Sequence, residues 1–188
     1  MMKPCPICTQ PLQLTFLQDE LPVHACAQGH GLWLTPNEYL LWLRTQLQYQ
    51  QIMPTSLEIE APASVPVTES EKAKICPDCG RLLRRYKVWP DIQFFLDRCN
   101  TCNGVWFDQN EWDILKEHKV HDEINLIFTQ PWQEKIRELE SRHFFEKMYR
   151  DRFGDEYAEV KRIRAWLDAH PLRTTVLAFL LDDDPYKP

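Results

Sequence analysis

Two stretches of this chain repeat one pattern of cysteine, glycine and tryptophan, and that repetition constrains the first two thirds more than any other feature. Cys5-Pro6-Ile7-Cys8 matches Cys76-Pro77-Asp78-Cys79. Further on, Cys26 with Gly31, Trp33 and Glu38 matches Cys99 with Gly104, Trp106 and Glu111. Of the seven cysteines, six form the Cys-x-x-Cys pairs 5/8, 76/79 and 99/102, and Cys26 stands alone. An odd count, with no apolar leader in Met1-Met2-Lys3-Pro4-Cys5, points to metal ligands rather than disulfides.

A Cys-x-x-Cys turn presents two sulfurs to one side of an ion, and two such turns brought together by a hairpin close a tetrahedral shell. Cys79 and Cys99 are separated by 19 residues, positions 80–98, within the usual range for such pairing. Cys76, Cys79, Cys99 and Cys102 therefore read as a complete four-thiolate site. In the first copy Gly29 aligns with Cys102, so one thiolate is missing. His30 lies one place further on, and its longer side chain reaches back to join Cys5, Cys8 and Cys26. His24 is the other candidate, but in a strand two residues before Cys26 it points away. Zn2+ is the expected occupant, two per chain, with rubredoxin-like iron the competitor for the same donors.

Redox use of the cysteine pairs fits poorly, because none opens a helix where a thiol becomes acidic. Hydrolytic zinc needs three protein ligands and an open position. Both sets are full and no His-Glu-x-x-His pattern accompanies them, so the expectation is no enzyme and no catalytic residues.

Around the cysteines the pattern predicts α+β structure: two small β modules, each followed by a helix, then a C-terminal α-helical region. Residues 12–16 alternate apolar and polar as a half-buried strand does, and 82–89 and 92–96 flank a Trp89-Pro90-Asp91 turn. Thr35 as N-cap, Pro36 at the first position and Glu38 in a capping box start one helix. Asp108 with Glu111 is expected to start the other in the same way. The domains predicted are 1–49, a linker over 50–74, 75–118 and a helical region over 119–188. The linker carries Pro54, Pro62 and Pro66 without a sustained period and reads as extended and mobile. In the helical region Trp132, Ile136 and Leu139 share a face that Phe144, Phe145, Tyr149 and Phe153 widen, which reads as core packing.

These residues carry a resemblance. Both repeats resemble the prokaryotic transcription-factor-IIB type zinc ribbon, with its Cys-Pro-x-Cys start and Cys-x-x-Cys-x-Gly-x-Trp-x-Asp-x-x-Glu end. The second fits from Cys76 to Glu111, including Gly104, Trp106 and Asp108. The first fits from Cys5 to Glu38, with His30 taking the role of the last cysteine and Thr35 replacing the aspartate. The resemblance implies zinc-stabilised β modules that serve varied partners, and leaves 119–188 untouched.

Net charge is -6, so the whole molecule has no general attraction for nucleic acid or anionic lipid. The longest apolar run, 175–181, is far short of a membrane span. A soluble, cytoplasmic protein is expected. The favoured reading is an adaptor that binds another protein through exposed aromatics such as Tyr86, Trp89 and Phe94 or through the helical region. The alternative is nucleic-acid binding by the second module. Lys72, Lys74, Arg81, Arg84, Arg85 and Lys87 against Asp78 give +5 over 72–89, with Tyr86 and Trp89 as stacking platforms. An enzyme of unknown chemistry comes third, and the sequence assigns no oligomeric state.

Overall fold

Six four-residue strands form one antiparallel sheet: β1 Gln13–Phe16, β2 Pro22–Ala25, β3 Gly31–Leu34, β4 Arg84–Lys87, β5 Phe95–Arg98 and β6 Val105–Asp108. Each repeat supplies three, and the order β1-β2-β3-β6-β5-β4 joins them through their last strands. The join has the symmetry of a two-fold dimer. Gly31 pairs with Asp108, Leu32 with Phe107, Trp33 with Trp106 and Leu34 with Val105, so equivalent tryptophans stand opposite each other. The computed structural model describes residues 2–17, 20–46, 59, 62 and 72–187. It divides into two compact units, Met1–Glu140 and Ser141–Pro188.

Helix α1, Pro36–Thr45, starts with the predicted capping box: Glu38 N donates to Thr35 Oγ1 and Thr35 N donates to Glu38 Oε2. Helix α2, Glu111–Glu117, departs from the expectation. Its N-cap is Asn110, in the left-handed region at φ 69° and with no side-chain cap bond. Asp108 does not cap because its carboxylate is taken by the Trp106 indole N–H at 2.7 Å and by Lys74 Nζ at 2.6 Å. Half of the box survives, since Glu111 Oε2 still accepts from Asp108 N at 2.8 Å.

Strand alternation splits the apolar residues of the first unit between two cores. On one face Val23, Leu34, Leu96, Val105 and Phe107 pack with Tyr39, Trp42, Leu43, Trp112 and Leu115 from the helices. Helix α3, Ile124–Ile127, and the start of α4, Gln130–Phe153, add Ile124, Ile127, Trp132 and Ile136 to the same core. The aromatics proposed as contact surfaces are part of it: Trp89, Phe94 and Tyr86 are buried. Phe94 is drawn in by its ring contact with Trp89, and Tyr86 meets Phe128 edge to face. The opposite face carries a second cluster of four equivalent pairs: Cys5 and Cys76, Leu12 and Leu83, Cys26 and Cys99, Trp33 and Trp106.

In the second unit, the end of α4 leads through a 3-10 turn, Gly154–Glu156, into α5, Tyr157–Ala169, and α6, Arg173–Leu181. Core packing was expected along α4, but Phe144, Phe145, Tyr149 and Phe153 are exposed. Only the first turns of the helix, at Trp132 and Ile136, reach the sheet's core. No described helix is long and apolar enough to cross a membrane. The linker expected over 50–74 lies outside the described residues except for Ile59, Pro62 and 72–74, and Ile59 packs on the helical-side core.

Candidate metal centres

Each cysteine turn is closed by a backbone bond back to its first carbonyl: Thr9 N to Cys5 O at 2.9 Å, Gly80 N to Cys76 O at 3.0 Å and Asn103 N to Cys99 O at 2.9 Å. The residue after the second cysteine takes a left-handed conformation in all three, with φ of 63° at Thr9, 69° at Gly80 and 63° at Asn103. Within the first turn Ile7 N donates to Cys5 Sγ.

The turn after Cys26 is one residue tighter. Gly29 takes the left-handed conformation at φ 74° and its N–H bonds Cys26 O at 2.9 Å. Glycine occupies that conformation without steric cost. Closing one residue early brings His30, rather than a cysteine at position 29, round to the sulfurs. His30 Nδ1 lies 3.4 Å from Cys26 Sγ.

Donor atoms of Cys5, Cys8, Cys26 and His30 lie within 4.8 Å of one another, and so do those of Cys76, Cys79, Cys99 and Cys102. Cys8 and Cys26 sulfurs are 3.6 Å apart, Cys76 and Cys102 3.5 Å, and Cys79 and Cys99 3.4 Å. A tetrahedral shell with Zn–S of about 2.3 Å needs sulfurs roughly 3.8 Å apart, so the ligand cages are nearly at that size. His24 is outside both groups. It pairs with Trp33 across β2–β3 and has Glu38 Oε1 at 3.9 Å.

The thiols are electrostatically divided. Burial pushes Cys5 up to about 12 and also raises Cys76 and Cys102. Burial opposes ionisation of Cys26 too, but N–H groups of Gln28 and His30 and the His30 side chain outweigh it and bring Cys26 down to about 6. Cys99 falls to about 7, where burial is outweighed by the N–H groups of Cys102 and Thr101. A divalent cation at the centre removes the penalty on the remaining thiols. With three cysteines and a histidine in one cage and four cysteines in the other, the two clusters fit two zinc ions.

Sequence reasoning missed the groups that tie the cages together. Trp33 of the first repeat donates its indole N–H to Asp78 Oδ2 at 2.9 Å, and Lys3 pairs with the same carboxylate. Asp78 lies between Cys76 and Cys79 in the second repeat. Lys74, counted above among the basic residues, is buried and holds Asp97 at 2.5 Å and Asp108 at 2.6 Å. Only its position two residues before the second cysteine turn, where Lys3 stands in the first copy, hinted at a structural role.

Residues 4–45 and 75–118 each match the Transcription factor zinc-finger family. The two segments are similar to that family, one copy after the other. No curated protein and no solved structure matches the chain. The zinc ribbons thus meet through β3 and β6, with their two cages on the same side of a shared sheet.

The basic strand of the second ribbon is less available than its sequence suggested. Lys87 pairs with Glu140, Arg85 stands opposite Asp97 and over the Phe95 ring, and Lys74 is neutralised inside. Tyr86 and Trp89, the expected stacking platforms, are buried at 9% and 1% exposure.

Proposed function

We propose that this protein is a non-enzymatic adaptor. In this reading Cys5, Cys8, Cys26 and His30 hold one structural zinc, and Cys76, Cys79, Cys99 and Cys102 hold the other. The ions fix a sheet whose outermost strand β1 adds a strand from a partner protein. A four-donor cage leaves zinc no open position for substrate, which favours a structural metal.

The observation that carries the reading is the difference between the two sheet edges. Edge β4 reads Arg-Arg-Tyr-Lys, and charge guards a sheet edge against further pairing. Edge β1 reads Gln-Leu-Thr-Phe, without charge, and Leu14 and Phe16 are 60% and 64% exposed. Their cross-strand partners are His24 and Pro22, so both point to the same face. An uncharged edge with two apolar side chains matches recognition by strand addition, in which backbone bonds give affinity and side-chain contacts give selectivity.

The test is photo-crosslinking from a reactive residue placed at Gln13, in native lysate, compared with a Leu14→Lys, Phe16→Lys variant. A protein partner crosslinked in the first case and lost in the second, with zinc content unchanged, supports the reading. Crosslinks to nucleic acid, or a partner retained by the variant, would sink it.

A further inference from the structure

The second unit holds a surface that its own chain does not cover. Between Ser141 and Pro188 only Leu167 is buried among the described residues. Phe144 is 65% exposed, Trp166 53% and Leu180 63%. Phe145, Tyr149 and Phe153 recur every four residues along α4 and line one face. Helix α6 is apolar nearly all round, reading Arg-Thr-Thr-Val-Leu-Ala-Phe-Leu-Leu, and none of its residues is buried. Helices of that composition are stable when covered on more than one side.

We propose that the cover is a second copy of this chain. In the resulting two-fold dimer, α6 of each copy lies in the cleft between the end of α4 and α5 of the other. That cleft has a volume of about 340 Å³ and is lined by Tyr149, Phe153, Tyr157, Val160, Lys161 and Arg164. Its aromatic and aliphatic lining suits Leu177 and Leu180 of α6.

Charge selects this occupant. Residues 141–188 carry nine Lys and Arg (142, 147, 150, 152, 161, 162, 164, 173, 187) and nine Asp and Glu (146, 151, 155, 156, 159, 168, 182, 183, 184), a balance of zero. The unit therefore has no general pull on a nucleic acid or an anionic bilayer. The charges are segregated, however. Asp182, Asp183 and Asp184 follow α6 directly and form no ion pair among the described residues. Lys161 and Arg164 line the cleft that would receive them. They pair with Glu146 and Asp168 of their own chain, but Arg150 and Arg173 share those two carboxylates, so four cations stand against two anions there. A surface that carries both an apolar helix with an acidic end and a largely apolar cleft with a local excess of positive charge is complementary to itself.

Area agrees. About ten large apolar side chains on the several faces of the unit are half exposed, on the order of 1,000 Å² in all at roughly 100 Å² each, so an interface of about 800 Å² per partner has apolar surface to draw on.

The experiment is sedimentation equilibrium on the full zinc-loaded chain, with zinc content and helicity recorded for every variant. Wild type is expected to be a dimer. Leu177→Asp with Leu180→Asp should shift it to monomer, with two zinc ions and helicity retained. A second pair leaves the apolar packing alone: Asp182→Lys with Asp183→Lys in one chain, and Lys161→Glu with Arg164→Glu in another. Each alone should dimerise at least tenfold more weakly, and mixing the two should restore a heterodimer. Should the leucine variants lose helicity, this exchange decides. A monomeric wild type, dimers indifferent to both sets of substitutions, or a monomer that binds neutral phosphatidylcholine vesicles through α6 would each overturn the proposal.

Discussion

Trp33 stands opposite Trp106 across the β3–β6 pair, and each ring fills the space above the other ribbon's glycine. A Cβ on Gly104 would lie 2.2 Å from the Trp33 ring, and one on Gly31 would lie 2.1 Å from the Phe107 carbonyl oxygen and 2.9 Å from the Trp106 ring. The Gly-x-Trp spacing of the motif thus serves a contact between ribbons. Since Trp33 also bonds Asp78 in the second repeat's first cysteine turn, the two cages are expected to relax together. Gly104→Ala should cost about 1–3 kcal/mol, the usual penalty for an overpacked core, measured by urea denaturation. It should also hasten zinc loss from both sites. Wild type challenged with chelator should pass from two zinc ions to none with little one-zinc species in native mass spectrometry. A well-populated one-zinc form would show the cages to be independent.

His30→Ala should lower zinc content towards one per chain, because an opened cage exchanges its metal and weakens the ribbon that folds around it. His24→Ala should leave two. Elemental analysis on protein purified without added metal reads both. The reverse pattern would mean that the tight turn at Gly29 does not deliver the fourth donor.

Lys74 Nζ reaches the buried carboxylates of both Asp97 and Asp108. Removing one partner of a buried ion group strands the other charges, at about 3–5 kcal/mol. Lys74→Met should therefore destabilise the second ribbon by that order in urea. Adding Asp97→Asn and Asp108→Asn should recover part of the loss. A cost below about 1 kcal/mol, the range of exposed pairs, would contradict the role assigned to Lys74.

The repeat made much of this legible in sequence. Cysteine spacing identified the groups that come together in space, and the Thr35-Pro36-x-Glu38 signature located α1. What stayed hidden depends on contacts between distant residues. Asp108 matches the capping position of Thr35, but its carboxylate is claimed by Lys74, 34 positions away. Lys74 itself looked like a surface charge because sequence records charge and not its partners. The joining of two ribbons into one sheet left no local trace, since β3 and β6 have the same apolar pattern whether they are edges or centre. Tyr86, Trp89 and Phe94 looked available for the same reason: α3 and the start of α4, which help to build the core around them, arrive from much later in the chain.

Binding to phosphates releases counterions, so a true site shows affinity that falls steeply with salt. The +5 of residues 72–89 shrinks in the fold, because Lys74 serves Asp97 and Asp108 and Lys87 serves Glu140. The aromatic rings that would stack on bases are buried, which removes about 1–3 kcal/mol per base from any single-stranded mode. With -6 on the whole chain, no measurable binding to generic DNA or RNA is expected near physiological salt. Arg81→Ala, Arg84→Ala and Arg85→Ala together should leave zinc content at two and leave a β1-dependent protein partner bound. Fluorescence anisotropy against random DNA and RNA across a salt series measures this directly. Micromolar binding that weakens steeply with salt and is lost in the triple variant would make the basic strand, rather than β1, the working surface.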